Sequence, residues 1–432
     1  MATHVVVLGG GFGGVHVARR LERLLAPGGD IELTLVNREN FFLVTPLLFE
    51  ACWGSLELRH CSVPIRAFLK RTRFIEARVQ GVDLERRSVS IEHGGVTREL
   101  PYDELVLALG AWTNERIIPG SEHALTFKTL ADAITLRNHV IERLERAEQE
   151  LEPARRRALL TFVIIGGGLV GTELLGEITA FADRVMPLYS RVRRDEARFL
   201  LLEHAGEIMP EVEPGLVRYA RAELERRPGV TIRTSATVTQ IAPGMVAIGD
   251  EQILAETVVL TAGIVPNPVV AALVLERDRA GHAVTDGKLH TSRPGVWALG
   301  DCASVPGPDG KPYPYLAQHA LREASVLARN IAAVMRGGEP LAFAYRTLGV
   351  MASLGHGRAV ARILGVRLRG FLAWWLRRTY YLLQTPGFER KLRIVVDWTL
   401  ALFLRPDIVK VDTDVERTAR AEVLPARRDV AA

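Results

Sequence analysis

Two glycine-rich turns, each set between a run of β-formers and an amphipathic helix, constrain this chain more than any other feature. The first follows His4-Val5-Val6-Val7-Leu8 as Gly9-x-Gly11-x-x-Gly14 and opens a helix with Val15, Ala18, Leu21 and Leu25 on one side. A second strand, residues 31–36, completes the βαβ length. The device recurs 157 positions later as Gly166-x-Gly168-x-x-Gly171 after Thr161-Phe162-Val163-Ile164-Ile165, with a later strand over 199–203. In such a unit the first glycine permits a tight turn, the second lets backbone approach a pyrophosphate, and the third lets helix pack on strand. The sequence predicts two dinucleotide sites; the bland alternative for each is a glycine-rich turn without a ligand.

The ends of the second strands differ. Asn37 stands where an acidic residue is expected, and its amide can hydrogen-bond a ribose hydroxyl only without charge assistance. Glu39 is a second candidate there, against its reading as a solvated loop residue. Strand 199–203 ends in Glu203, a carboxylate suited to the 2′-hydroxyl of NAD, and no arginine follows immediately to welcome a 2′-phosphate. This favours NADH over NADPH; the alternative for Glu203 is a solvent-facing strand end.

A length of 432 residues is about three times the ~150-residue prior for one domain. With 48% hydrophobic and 24% charged residues the chain is globular, not disordered. Cys52, Cys61 and Cys302 show no C-x-x-C spacing, which leaves neither a disulfide scaffold nor a zinc site. The stretch 257–275 is long enough to span a bilayer, but Pro266, Asn267 and Pro268 break it into strand, turn and helix. Met1-Ala2-Thr3-His4 runs into a strand with neither basic leader nor cleavage site, so a cytosolic protein is expected. Short strands at 73–79, 88–91 and 105–109 and a polar helix at 131–150 read as connection, and Pro153 with Arg155-Arg156-Arg157 reads as a linker. Beyond Asp412 the tail reads as charged and frayed.

Two nucleotide sites in one chain suggest electron transfer between two cofactors, most simply a flavin and a nicotinamide. The segment GVWALGDCASVP at 295–306 ends a strand at Gly300-Asp301, placing a carboxylate beside a ribityl chain. Together with NFFLVTPLLFE at 40–50, LVLALGAWTN at 105–114, GGGLVGTELLGE at 166–177, VVLTAGIVPNP at 258–268, YLAQHALREA at 315–324 and DWTLALFLRPDIV at 397–409, these residues resemble the two-dinucleotide flavoproteins. Within them the closest resemblance is to the type II NADH dehydrogenases, single-chain NADH:quinone oxidoreductases, over residues 4–412.

The resemblance implies an α/β fold of two Rossmann-like domains, the NAD domain inserted into the FAD domain, plus a C-terminal helical, membrane-associating region. The expected boundaries are 1–118 and 286–340 for FAD, 119–157 for a connection, 158–285 for NAD, and 341–432 for the C-terminal region. Gly9, Gly11, Gly14, Gly300 and Asp301 would hold FAD, with Asn37, Arg38 at the adenine end, Pro46 near the flavin ring, and Ala108 and Gly110 on the returning strand. Gly166, Gly168, Gly171, Glu203 and Gly263 would hold NADH. Glu173 would lie where nicotinamide meets flavin, against its reading as a helix-terminus carboxylate. Gln318 would serve the quinone, with His319 and Glu323 as further proton-handling candidates; the bland reading of His319 is a packed histidine. The family's glutamine pair is replaced by Arg322 and Glu323, which puts charge where a quinone head group is expected. The absence of cysteine from 62 to 301 argues against a disulfide reductase or a sulfide-oxidising relative, both of which need paired thiols at the flavin.

Net charge is +5, yet residues 358–405 hold ten Lys and Arg against Glu389 and Asp397. A local excess of this kind reads as one adhesive face, not the diffuse field of a nucleic-acid binder. In 366–404 these cations interleave with Phe371, Trp374, Trp375, Tyr380, Tyr381, Trp398 and Phe403, the composition of helices lying in an anionic lipid interface. The expected location is cytoplasmic, peripheral on the inner face of the cell membrane; the alternative is aromatic packing against the FAD domain or a homodimer partner. Against NADH:quinone turnover stand two other functions, transfer to a soluble non-quinone acceptor and an NADH-binding flavoprotein redox sensor.

Overall fold

The computed structural model describes residues 3–25 and 31–411. Strand β1 (Thr3–Leu8) enters the first glycine turn, helix α1 (Phe12–Leu24) leaves it, and β2 (Ile31–Asn37) returns parallel to β1 with Leu33 opposite Val5. Val5 to Leu8 are all buried without alternation, the mark of a strand covered on both faces. Strands β3 (Arg73–Glu76) and β4 (Glu104–Leu107) follow. A second series comprises β5 (Leu125–Thr126), helix α2 (Leu130–Gln149), β6 (Thr161–Ile165), helix α3 (Leu169–Val185), β7 (Arg198–Leu202), β8 (Val230–Arg233) and β9 (Thr257–Leu260). Strand β10 (Val296–Ala298) then pairs with β4.

The two five-stranded parallel sheets have the same plan, β10-β4-β1-β2-β3 and β5-β9-β6-β7-β8. In each, the strand that feeds the glycine turn is central and the strand order reverses beside it. That reversal opens a crevice beyond the carboxyl ends, where ligands of open α/β sheets bind. Because β10 lies beyond the second sheet in the chain and completes the first, the second unit is threaded through the first.

Several sequence expectations need correction. The strands at 73–79 and 105–109 are not connection: β3 and β4 belong to the first sheet. Only Arg78–Asp83, Ser88–His93 and Val96–Pro101 form a separate antiparallel sheet, matched in the second unit by Val238–Ala242, Met245–Ile248 and Glu251–Leu254. The expected linker is a helix, Pro153–Leu159: Glu152 caps it by accepting from the Ala154 and Arg155 N–H groups, and Pro153 takes the first position, where no N–H is needed. The region from 366 does not begin as helix. Val366–Arg369 pairs with Ala359–Ile363, which pairs with Gly349–Ser353; helix α5 (Gly370–Gln384) packs on this sheet and α6 (Phe388–Leu400) follows, while α4 (Ala317–Val334) lies along α1. No helix among the described residues is long and apolar enough to cross a membrane. The tail beyond Asp412 lies outside the described residues.

Candidate functional site

The two glycine turns are built alike to the level of atoms. Gly9 has φ +105° and Gly166 φ +106°, the left-handed side of backbone space that favours glycine. A Cβ on Gly9 would meet the Ala108 carbonyl oxygen at 2.2 Å, and one on Gly14 would meet the Gly9 oxygen at 1.9 Å. A Cβ on Gly171 would meet the Gly166 oxygen at 1.8 Å, so first and third glycines are required by packing alone. The middle glycines differ: around Gly11 and Gly168 a Cβ would meet nothing within 4 Å. Each therefore faces open space at a helix N-terminus, α1 or α3, whose free N–H groups suit an anion. This fits a dinucleotide pyrophosphate at both turns.

Asn37 and Glu203 do the same local work. Asn37 Oδ1 accepts from Gly10 N–H at 2.8 Å and Glu203 Oε2 from Gly167 N–H at 2.5 Å, so each side chain locks its own turn. Asn37 Nδ2 also donates to the Glu39 carbonyl at 2.7 Å, and Glu203 Oε1 accepts from Ala205 N–H at 2.7 Å. The reading of Glu203 as a mere solvent-facing end does not hold. Arg38 and Glu39 are both exposed, with 3.5 Å between Arg38 Nε and Glu39 Oε1. Gly110 (φ +68°) and Gly263 (φ +70°) stand at opposite ends of one two-stranded ribbon, because Ala111–Thr113 pairs antiparallel with Ile264–Pro266: the Asn267 N–H donates to the Gly110 carbonyl at 3.2 Å and the Asn114 N–H to the Gly263 carbonyl at 2.9 Å. Ala108 donates its N–H to Leu8 and presents its carbonyl beneath Gly9.

Beyond β10, Gly300 (φ +68°) and Asp301 line a narrow crevice with Tyr315, His319 and Glu323. The Asp301 carboxyl sits deep in it and burial raises its pKa, opposed by the charges of Lys128 and His282. Sequence reading missed both of these residues. Burial lowers the Lys128 ammonium, while Asp301 and Asp132 pull it back up. His282 is 3% exposed, stacks on Tyr315 with ring centroids 4.5 Å apart, bonds Asp278 through Nδ1, and leaves Nε2 buried without a partner among the described residues. An orphaned imidazole nitrogen and a half-buried lysine whose charge acts on the half-buried Asp301 carboxyl suit a hydroxyl-rich, phosphate-bearing group. Their signals, one lysine and one histidine in unremarkable segments, carried no motif.

Glu323 is turned onto the Gly300 turn. It is 3% exposed and its Oε2 accepts from Gly300 N–H at 2.7 Å; burial, with Asp301 nearby, pushes its carboxyl up to about 7. The helical period turns Arg322 the other way, to an exposed position over the Tyr345 ring. Gln318 opens α4, its Nε2 donating to the Gly349 carbonyl at 2.8 Å and its Oε1 accepting from Tyr345 Oη–H at 3.3 Å. His319 is a packed residue: Nε2 meets Thr347 Oγ1 at 3.0 Å, and burial lowers its pKa to about 4, so it is neutral.

The strand Gly349–Ser353 joins Gln318 to Glu173, since its first residue bonds Gln318 and its last donates N–H to Glu173 Oε1 at 2.7 Å. Glu173 lies in the first turns of α3, buried, with Arg377 Nη2 at 2.9 Å from the same Oε1. Its reading as a carboxylate satisfying its own helix terminus fails, because its partners come from elsewhere. Arg377 also donates to the Pro46 carbonyl at 2.8 Å and lies 3.4 Å from Glu50 Oε1. Cys52, Cys61 and Cys302 are free and buried, and burial pushes the Cys61 and Cys302 thiols up to about 12.

The C-terminal aromatics divide between inside and outside. Trp374 is 4% exposed, and Arg377 and Arg378 are buried, so these three are not available to a surface. Arg358, Arg367 and Arg393 pair with Glu223, Glu213 and Glu389. Among the described residues that leaves Arg362, Arg369, Arg390, Lys391 and Arg405 without an acidic partner, while Phe371, Leu372 and Trp375 on α5 and Phe388, Leu392, Val395 and Val396 on α6 face outward.

Residues 3–324 match the family model described as pyridine nucleotide-disulphide oxidoreductase. The type II NADH:quinone oxidoreductase Ndh of Mycobacterium tuberculosis is 30% identical over 92% of this chain and 87% of its own length. The demethylphylloquinone reductase NdbB of Synechocystis is 29% identical over 91% and 95%. A structure of NDH2 from Plasmodium falciparum in complex with NADH superposes with TM-score 0.87 over 95% of this chain and 100% of that one at 16% identity, which establishes the shared fold. Twin cradles on twin sheets, one threaded through the other, thus coincide with likeness along nearly the whole chain: it belongs to the pyridine nucleotide-disulphide oxidoreductase family and, within it, to the type II NADH:quinone oxidoreductases.

Proposed function

We propose that this protein is an FAD-dependent NADH dehydrogenase that passes two electrons from NADH to a membrane quinone without pumping protons. The observation that carries this reading is the pair of open middle glycines, Gly11 and Gly168, at the reversal points of two sheets of identical order. In the first cradle Gly9, Gly11, Gly14, Asn37, Arg38, Pro46, Ala108, Gly110, Gly300 and Asp301 hold FAD; in the second Gly166, Gly168, Gly171, Glu203 and Gly263 hold NADH. When bound, the flavin supplies the chemistry, accepting hydride and releasing electrons singly or in pairs. The protein's own contribution is placement and exclusion of water. Glu173 presents a fixed carboxylate between the cradles, Gln318 fixes the edge at which an acceptor arrives, and Asp301 with Lys128 and His282 grips the polar chain. The domain limits expected from the sequence, 1–118, 119–157, 158–285, 286–340 and 341–432, belong to the same proposal, except that Leu125–Thr126, within the expected connection, is a strand of the second sheet.

The acceptor arrives from a lipid surface. The outward apolar face of α5 and α6, with five unpaired cations at about 1 kcal/mol each near an anionic leaflet, gives reversible peripheral attachment, on the cytoplasmic face of the cell membrane. Phe388→Glu with Leu392→Glu should release the protein from phosphatidylglycerol vesicles while leaving the flavin spectrum unchanged. Retained binding sinks the membrane assignment, and a dimer that dissociates in the variant assigns the face to a homodimer instead. One observation favours a second reading, a soluble acceptor: the exposed guanidinium of Arg322 over Tyr345 beside Gln318. The deciding experiment is a visible spectrum of the purified protein, bleached by NADH and then challenged with a short-chain quinone. Recovery of the yellow band over many turnovers supports quinone reduction, turnover only with dyes or a protein acceptor supports the second reading, and a single stoichiometric bleach makes the protein a sensor.

A further inference from the structure

Three buried carboxyl groups and two buried guanidinium groups, from three separate stretches of chain, meet in one cluster. Glu50 and Arg377 are each 1% exposed; Glu173, Glu177 and Arg378 are buried as well. Arg377 reaches Glu173, Glu50 and the Pro46 carbonyl at once. Arg378 Nη2 lies 2.8 Å from Glu50 Oε2 but off the hydrogen-bonding direction, and its guanidinium is sandwiched between the rings of Trp374 and Trp398. Ser353 ties the two α3 carboxyls together, its N–H on Glu173 and its Oγ–H on Glu177 at 2.7 Å. Buried ion pairs add little to stability compared with apolar packing of the same volume, so such a cluster calls for a reason beyond holding α5 down.

The geometry of Glu173 supplies one. Both partners, Arg377 Nη2 and Ser353 N–H, engage Oε1, and no hydrogen bond among the described residues engages Oε2. One oxygen is clamped and the other is presented. We propose that Arg377, on the C-terminal helix α5, is the positioning residue that aims Glu173, while the same Nη2, donating also to the Pro46 carbonyl, sets the loop on the flavin side. The helix pair that faces the lipid surface thereby completes the cleft between the cradles. This rests on the reading of Glu173 given above, and it extends it to a residue that contributes no atom to either cradle.

Burial holds the Glu173 carboxyl above its usual range on balance; Arg377 and the Ser353 N–H pull it back down, and Glu50 adds to the rise. Glu177 is pushed up to about 7 by burial and by Glu50. The other groups facing the cluster are Tyr381, held above its usual range by burial, Arg227 and Cys52 beside Glu177, and His356 beside Arg378.

The test uses the full-length FAD-loaded protein and two readouts, an infrared pH titration of protonated-carboxyl C=O absorption and the pH profile of NADH oxidation. The part of the infrared band that Glu173→Gln removes reports Glu173. In Arg377→Met that part should persist at least one pH unit higher than in wild type, and the acidic limb of kcat should move up with it, a tenfold loss at a fixed pH on that limb. KM for NADH should change far less. Arg377→Lys keeps the charge and should restore the band to its wild-type pH. Uniform loss of activity at every pH with the band unmoved would overturn the proposal in favour of a structural arginine. Should Arg377→Met fail to fold, Glu50→Gln gives the opposite sign: removing the neighbouring carboxylate must shift the Glu173 band to lower pH, and an unmoved band there also overturns the proposal. The infrared arm needs no turnover, so a protein that does not oxidise NADH would refute the function while leaving this inference tested.

Discussion

The two cradles share a backbone and differ in what closes over them. Around the first, the chain comes back after an excursion of nearly two hundred residues to lay β10, Asp301 and the start of α4 against the crevice, with Glu323 hydrogen-bonded beneath Gly300. Around the second, Gly263 is roofed by Ile117, itself 45% exposed, and the α3 N-terminus carries Val170 at 39% exposure. The lesson is that one turn motif serves two residence times. A cradle enclosed by buried polar groups suits a prosthetic group that stays through turnover, and one roofed by a flexible side chain suits a ligand that must leave each cycle.

The largest effect that separates the cradles comes from the middle glycines. Gly11 and Gly168 have extended backbone (φ −80° and −64°) and open space around a would-be Cβ, so valine fits either turn without unfolding it and fills only the ligand's volume. Gly11→Val should purify colourless, with FAD affinity down at least about 100-fold, or ~2.7 kcal/mol. Gly168→Val should purify yellow, accept electrons from dithionite, and fail with NADH. A colourless Gly168→Val with intact circular dichroism would break the comparison.

Next is the buried acid beneath the first cradle. Glu323 has a folded pKa of about 7 against a usual value of 4.5, so the folded chain binds a proton that the unfolded chain releases between those values. The sign follows: below pH 4.5 both states are protonated and nothing is lost, whereas stability falls as pH rises through the window and is lower by about 3 kcal/mol above pH 7. Glu323→Gln keeps an acceptor for the Gly300 N–H and removes that penalty. Urea melts should show it more stable than wild type at pH 8 and equal at pH 4.5; an equal gap at both would place Glu323's charge in water.

How much of this was legible beforehand depends on the reach of the physics involved. The glycine turns were readable because a positive φ and a sub-van-der-Waals approach are demands that a motif meets within six residues, as Gly9 to Gly14 show. The alternation-free strands and the broken stretch at Pro266 are equally local. Arg377 was misread for the opposite reason. From the sequence it is one cation in a basic, aromatic segment; its partner Glu50 lies 327 positions away, and only the folded sheet Gly349–Ser353 delivers α5 to that place. Lys128 and His282 were missed likewise, since each acquires meaning only beside Asp301. Arg322 and Glu323 were read together, although adjacent helical residues face about 100° apart and only Arg322 is exposed.

The two remaining predictions turn on Asn37 and Glu203, the one position where the cradles differ in chemistry and not in enclosure. Glu203→Gln removes the carboxylate while an amide oxygen can still hold Gly167 N–H, so the turn survives and a charge-assisted bond is lost. KM for NADH should rise about tenfold, ~1.4 kcal/mol, with preference over NADPH reduced and flavin retained. Asn37→Asp makes the reverse change in the first cradle, and its effect should be the smallest. Asp can keep the bond from Gly10 N–H, but it gives up the Nδ2 donation to the Glu39 carbonyl and sets a charge near that oxygen. The gain of a stronger hydroxyl acceptor against the loss of one exposed hydrogen bond leaves about threefold tighter FAD, ~0.7 kcal/mol, measured by flavin release in dilution. Weaker FAD in Asn37→Asp would mean that the amide's bond to Glu39, which shapes the loop leading to Pro46, matters more to the cradle than any contact with ribose.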